Sequence, residues 1–181
     1  LIVVISGFFP VAQVFDAPLL FPEKGARWIY IDRPFMLEAQ HEGERVSYRK
    51  RFPVENAPSA ATLTVRALRV SEAYIGGKPV PPEKSDLGRW KGTRTFNLTG
   101  LLAPGMHDIF IRVSNENGPA VLLAHSEPLK LFTGPGWEAS YDELLWTGAA
   151  PADKKKDPEL AAQFNTADRA LISLVSLYAP L

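Results

Sequence analysis

A period of two runs through the middle of this sequence and leaves few folds open to it. Between Arg27 and Thr133 short stretches alternate apolar and polar residues and are cut by Gly, Pro and Asn, and helical periodicity is absent. Successive side chains of an extended strand point to opposite faces, so such alternation gives a sheet one face to bury and one to leave free. The clearest case is Met106 to Ser114, where Ile109, Ile111 and Val113 point one way and Asp108, Phe110 and Arg112 the other. Leu63, Val65 and Ala67 alternate in the same way with Thr62, Thr64 and Arg66. Further strands are predicted at Trp28 to Ile31, Arg45 to Phe52, Glu72 to Ile75, Thr93 to Leu98, Val121 to His125 and Lys130 to Phe132. Turn residues separate them at Gly76-Gly77, Pro81-Pro82, Pro104-Gly105 and Asn117-Gly118-Pro119. Such alternation is the signal of an all-β sandwich or barrel, and about eight strands fit two packed sheets.

Charge and cysteine content narrow the function classes. The 20 Lys+Arg residues balance 20 Asp+Glu, and no long basic run is present. Sequence-independent nucleic-acid binding needs clustered cations to neutralise phosphates, so nucleic acid is not expected as a partner. With no cysteine there is no disulfide framework, thiolate nucleophile or Cys-ligated zinc. A chain of 181 residues buries roughly 70% of its unfolded surface, and its core alone suffices to hold it.

The two ends are unlike the middle, and the sequence divides into an apolar arm at 1–22, a sandwich at 23–150, and a linker with a helix at 151–181. Residues 1–15 (LIVVISGFFPVAQVF) are almost wholly apolar and begin without Met, which suggests a start inside a longer precursor. Fifteen residues fall short of the about 20 that span a bilayer, which leaves the tail of a membrane helix, part of an uncleaved signal, or a core-covering arm. At the other end Asp157-Pro158-Glu159 reads as a helix start. Behind it Leu160, Phe164, Ala167, Leu171, Leu174 and Tyr178 recur at spacings of 4, 3, 4, 3 and 4, one apolar stripe on an amphipathic helix. From Ala170 the helix is apolar nearly all round and is expected to sit against protein or lipid. The Lys154 to Lys156 run beside it is either a solvated linker or a contact for anionic headgroups.

The order of the strand pieces resembles the galactose-binding-like jelly roll, the accessory domain ahead of the catalytic domain in bacterial α-L-rhamnosidases and β-galactosidase relatives. ARWIY is similar to that domain's opening strand, VSYRKRFPV to its second, and AATLTVRAL to the next. AYIGGKPV stands where the family has a Tyr-Val-Asn-Gly-Lys hairpin, with Gly76 in place of the Asn. FNLTGLLAPGMHDIFIRVSNENGPA and GPGWEASYDELLW resemble its long-strand run and closing Trp segment. The resemblance covers about 25–149 and implies a jelly-roll β-sandwich with no hydrolase activity of its own, since only the linker and one helix follow. It also implies that Trp28, Trp137 and Trp146 pack as scaffold.

Sugar recognition by such domains uses an aromatic ring against the apolar face of a pyranose, with charged or amide groups for hydroxyls. Trp90, in the polar loop SDLGRWKGTR, is the candidate platform, flanked by Asp86, Arg89 and Arg94. The alternative is that Trp90 folds back to cap the sandwich edge. Tyr74, Asn115 and Asn117 are candidate hydroxyl contacts and equally good turn or strand-end residues. No motif selects a catalytic pair among the 20 acids, and His41, His107 and His125 lack ligand spacing, so no catalytic residue, metal or cofactor is expected.

Two functions follow. In the first, a non-catalytic carbohydrate-binding module faces the extracytoplasmic side, in the periplasm or at the cell surface, membrane-associated through its apolar ends. In the second, the sandwich is a structural or accessory subunit of a membrane protein complex and docks on protein or lipid through Phe8, Phe9, Phe15, Leu171, Leu174 and Tyr178. An exposed Trp90 in a concavity belongs to the first and is not needed by the second.

Overall fold

The computed structural model of the chain describes residues 20, 22–32, 44–67, 70–86, 92–116 and 120–152, and among these there are strands and turns but no helix. The expected apolar arm, apart from residues 20 and 22, the expected C-terminal helix and residues 87–91 with Arg89 and Trp90 lie outside the described residues. In chain order the strands are β1 (Ile29–Tyr30), β2 (Glu44–Val54), β3 (Thr62–Ala67), β4 (Val70–Ile75), β5 (Lys78–Val80), β6 (Pro82–Ser85) and β7 (Thr93–Asn97). They continue with β8 (Gly105–Asn115), β9 (Leu122–Ser126), β10 (Leu131–Phe132), β11 (Glu138–Ser140), β12 (Thr147–Gly148) and β13 (Ala150–Pro151).

Two antiparallel sheets result. One runs β13-β1-β9-β3-β7-β6, with β10 also pairing β9, and the other runs β12-β11-β2-β8-β4-β5. The chain passes back and forth between them, so neighbours such as β2 and β8 are far apart in sequence. Their pairing is the longest register, from Glu44 opposite Asn115 to Val54 opposite Gly105.

Alternation decides what lies between the sheets. On β8 Ile109, Ile111 and Val113 are buried while Asp108 is exposed and Phe110 and Arg112 are half-buried, and on β3 Leu63, Val65 and Ala67 are buried. These side chains join Val46, Tyr48, Phe96, Leu122 and Ala124 in one core drawn from both sheets. Each large apolar side chain removed from water contributes about 1.5–3 kcal/mol. The pattern is interrupted at Lys50, which occupies a core-side position of β2 but sends its ammonium out to the carbonyl of Pro135, 3.1 Å away. Burial lowers the Lys50 pKa.

Three features depart from the sequence expectations, and one turn agrees with them. Trp28 and Trp137 are buried, but Trp146 is half-buried outside the core, on the outer side of the six-stranded sheet. Pro82 begins edge strand β6 instead of belonging wholly to a turn. All four of that strand's residues are exposed, and an edge needs no N–H from its first residue. Strands β6, β11, β12 and β13 were not predicted, because runs of two to four residues carry too little alternation to read. The Gly76-Gly77 turn does close the β4–β5 hairpin, with φ of 54° and 77° at its two central residues. A two-residue turn with both φ positive is the type I′ form, which Gly and Asn adopt most easily.

Candidate functional site

The outer face of the six-stranded sheet gathers charged and aromatic side chains at consecutive strand positions. Pairing places Glu138 of β11 beside Arg49 of β2, Arg49 beside Phe110 of β8, and Phe110 beside Tyr74 of β4. A second row, two residues along, sets Ser140 beside Ser47, Ser47 beside Arg112, and Arg112 beside Glu72. Arg51 faces Asp108 in a third row. Every one of these residues is on the face the core does not use, so alternation that buries Ile109 and Ile111 obliges Phe110 and Arg112 to face out.

Ion pairs and ring contacts tie the rows together. Arg49 Nε donates to Glu138 Oε2 at 2.7 Å, and Arg51 makes two bonds to Asp108, at 2.8 and 3.1 Å. Arg112 donates to Glu143 Oε1 from Nε at 3.1 Å and from Nη2 at 2.6 Å, and reaches Glu72 at 3.4 Å. Tyr74 and Trp146 each meet Phe110 edge-on, with centroids 5.6 and 5.9 Å away. The Arg49 guanidinium lies 4.1 Å from the Trp146 ring centre, within cation–π range. A concavity of about 650 Å³ opens here, lined by Arg49, Arg51, Tyr74, Phe110, Arg112 and Glu143 among others.

The loop from Tyr141 to Trp146 closes one side and is held by its own polar groups. Asp142 accepts bonds from the Leu144 and Leu145 amides, both at 2.9 Å, and from Ser140 Oγ at 3.0 Å. Glu143 sits at φ 63° with its carboxylate on Arg112 and Ser47, and Trp146 Nε1 donates to its carbonyl at 3.1 Å. The outcome is that Trp146 is aimed at Arg49 and Phe110, while Leu144 and Leu145 stand out, 82% and 77% exposed.

Neighbouring guanidiniums and amides lower the pKa of three carboxyls on this side of the sheet. The Arg51 guanidinium holds Asp108 below the usual carboxylate range, the Arg112 guanidinium does the same to Glu143, and the Leu145 and Leu144 amides lower Asp142. Carboxyls shifted downward stay ionised and serve as hydrogen-bond acceptors. Among the described residues no group of three His, Asp or Glu side chains is placed to hold a metal ion.

The residues singled out from the sequence are scattered over the fold. Tyr74 belongs to the outer-face row, and its hydroxyl donates to Glu72 Oε2 at 3.1 Å and accepts from Arg112. Arg94 projects from β7 between the sheets and donates to the carbonyl of Ser71 on β4, which burial accompanies with a lowered pKa. Tyr74 and Arg94 both line a smaller cleft of about 270 Å³, beside Pro79 and Pro82. Asp86 is exposed at the end of β6, its amide bonded to the Thr93 carbonyl at 3.1 Å. Asn115 is 5% exposed at the end of β8, on the core side of the alternation. Arg89, Trp90 and Asn117 lie outside the described residues, as do Phe8, Phe9, Phe15, Leu171, Leu174 and Tyr178. The sequence reading missed Arg49, Phe110, Arg112, Glu143 and the surface role of Trp146. A signal existed: Phe110 is an aromatic at an outward position, flanked there by Asp108 and Arg112.

The arrangement defines a class, a two-sheet β module with a polar and aromatic concavity on one outer face. No protein-family model matches the chain. No curated protein matches it either. Solved structures do, among them three α-L-rhamnosidases. The native enzyme from Aspergillus terreus matches with a TM-score of 0.50 and 22% identity over 65% of this chain. That from Streptomyces avermitilis, solved with L-rhamnose, matches with 0.55 and 17% over 74%. That from Dictyoglumus thermophilum matches with 0.50 and 14% over 71%. The chain spans only 17%, 15% and 21% of those three proteins respectively. The likeness shows the fold, a rhamnosidase-type β-sandwich region, in agreement with the resemblance read from the order of the sequence pieces.

Proposed function

We propose that this chain is a non-catalytic carbohydrate-binding module on a galactose-binding-like jelly roll, and that it holds sugar on the outer face of the six-stranded sheet. The observation that carries this reading is Phe110 with Tyr74 and Trp146 packed edge-on against it, set among ionised, hydrogen-bonding side chains. A pyranose has an apolar C–H face that suits an aromatic surface and hydroxyls that suit charged acceptors and donors. Likeness to sugar-cleaving enzymes supports a saccharide ligand. The apolar stretches 1–15 and 170–181 support an extracytoplasmic, membrane-associated setting in which they act as a tether. The polar loop of Arg89 and Trp90 is kept as a second contact.

A glycan array probed with the full chain, beside Phe110→Ala and Trp90→Ala, tests this. Binding that Phe110→Ala weakens about tenfold supports the outer face, in line with roughly 0.5–1.5 kcal/mol per aromatic contact beyond burial. Binding lost only in Trp90→Ala moves the site to the loop, and a folded chain that binds no glycan overturns the reading.

One observation favours the second function, an accessory subunit that docks on a membrane complex. Leu144 and Leu145 are held out on a loop fixed by Asp142 and Glu143, an uncommon use of two apolar side chains. Crosslinking of the intact chain in membranes, lost in a Leu144→Ser/Leu145→Ser variant that still binds sugar, would give that loop a docking role.

A further inference from the structure

The charge pattern of the outer face selects among saccharides, and this selection rests on the carbohydrate reading above. We infer that the ligand is a neutral saccharide and that acidic sugars, uronates and sulfated sugars, are rejected. Three guanidiniums line the concavity, those of Arg49, Arg51 and Arg112. Each already has a carboxylate: Glu138 at 2.7 Å, Asp108 at 2.8 Å and Glu143 at 2.6 Å. Glu72 stands 3.4 Å from Arg112 as a further acid on the same face. Arg45 is on the outward side of β2 next to these rows but does not line the concavity.

A face that binds anions presents cations with open hydrogen-bonding edges, as in arginine forks for carboxylate or phosphate. Here each guanidinium already donates to a carboxylate, Arg49 through Nε and Arg51 and Arg112 through two nitrogens each, so its charge is compensated on the face itself. The exposed pairs are individually weak, and breaking one costs little. Doing so does not help an acidic sugar, because the displaced Glu or Asp stays on the same face and repels the incoming anion. A hydroxyl meets no such conflict: a carboxylate oxygen bonded to one guanidinium keeps lone pairs for an O–H donor, while the guanidinium keeps N–H groups for a hydroxyl oxygen. Tyr74 and Phe110 then take the apolar face of the ring.

The test is calorimetry on the full chain with size-matched neutral, uronate-containing and sulfated oligosaccharides, at about 0.05 and 0.5 M salt, a range over which exposed charge–charge attraction is largely screened. The inference expects neutral sugars to bind, acidic ones to be at least about tenfold weaker, and neutral affinity to change less than about twofold with salt. Removing one acid should narrow that gap, so Glu138→Gln, and independently Glu143→Gln, should gain affinity for uronates of several-fold relative to neutral sugars. Equal or tighter binding of acidic sugars, or affinity falling steeply with salt, overturns the inference and leaves the carbohydrate function standing. Binding of neither class overturns the function itself and the inference with it.

Discussion

Arg112 of β8 and Glu143 of the β11–β12 loop share two hydrogen bonds to one carboxylate oxygen, 3.1 and 2.6 Å long, across 31 residues of sequence. Arg112 is 19% exposed and lies 5.4 and 5.5 Å from the Tyr74 and Phe110 ring centres. The pair therefore joins the loop that carries Trp146 to the strands that carry the other two rings.

Glu143→Gln should loosen that loop more than it destabilises the fold. A partly exposed pair is worth up to about 1 kcal/mol, so the denaturation midpoint should move only slightly. Trp146 should become more solvated, seen as a red-shifted emission relative to a Trp146→Phe control. An unchanged Trp146 signal would mean that the loop holds its shape without Arg112.

Tyr48 is fully buried on β2, and its hydroxyl donates to the Ala120 carbonyl. Tyr48→Phe leaves that acceptor short of a partner and should cost about 1–2 kcal/mol in urea unfolding. Burial, with Glu44 nearby, holds the phenol pKa well above its ordinary value. A folded-state pKa raised above the unfolded one gives stability that is fully present below about pH 10 and lost as pH rises beyond it. Alkaline unfolding should therefore begin later in Tyr48→Phe, once its lower starting stability is allowed for.

His125 is 4% exposed on β9, and burial lowers its pKa despite Glu23, 3.8 Å away. The unfolded state then takes up a proton first. Stability from the neutral ring is complete above about pH 6.5 and declines as pH falls below it. Urea titrations at several pH values, beside His125→Gln, should show a flatter acid limb in the variant. A parallel fall in both would assign acid sensitivity to other groups.

The Gly76-Gly77 turn makes a prediction of opposite sign at adjacent sites. A Cβ at Gly76 meets nothing within 4 Å, and Asn tolerates its φ of 54°. Gly76→Asn should be neutral or stabilising by up to about 0.5 kcal/mol, through a less flexible unfolded chain. Gly77→Val, at φ 77°, should cost about 1–2 kcal/mol despite the open space, because a β-branched residue resists that conformation. Thermal melts of both would separate backbone strain from crowding.

Ile111→Ala should be the costliest of these changes, about 2–5 kcal/mol, since its side chain is fully buried between the sheets. Thr62→Ala, on the exposed end of β3, should stay within about 0.5 kcal/mol. Comparable losses at both sites in chemical denaturation would contradict the two-sheet core.

Much of the sandwich was legible beforehand because a period of two is a local property. Ile109, Ile111 and Val113, or Leu63, Val65 and Ala67, announce their face without help from the rest of the chain. Short strands such as β12 and β13 were not legible, since their pairing partners, not their own residues, make them strands. The candidate site was legible only at Tyr74. Trp90 drew attention as an aromatic among polar residues in a loop, whereas Phe110 and Trp146 sit in segments that look structural.

The sequence alone determined that the chain is β-rich, which side of β3 and of β8 is buried, and that Phe110 and Arg112 face away from the core. Tertiary structure decided what those outward residues meet. Glu138, Arg49, Phe110 and Tyr74 stand in line because β11, β2, β8 and β4 pair in that order, and nothing in the four segments separately specifies the order. Strand pairing between distant segments is set by the core that all of them share, so a face assembled from its unburied positions exists only after the sheets have packed.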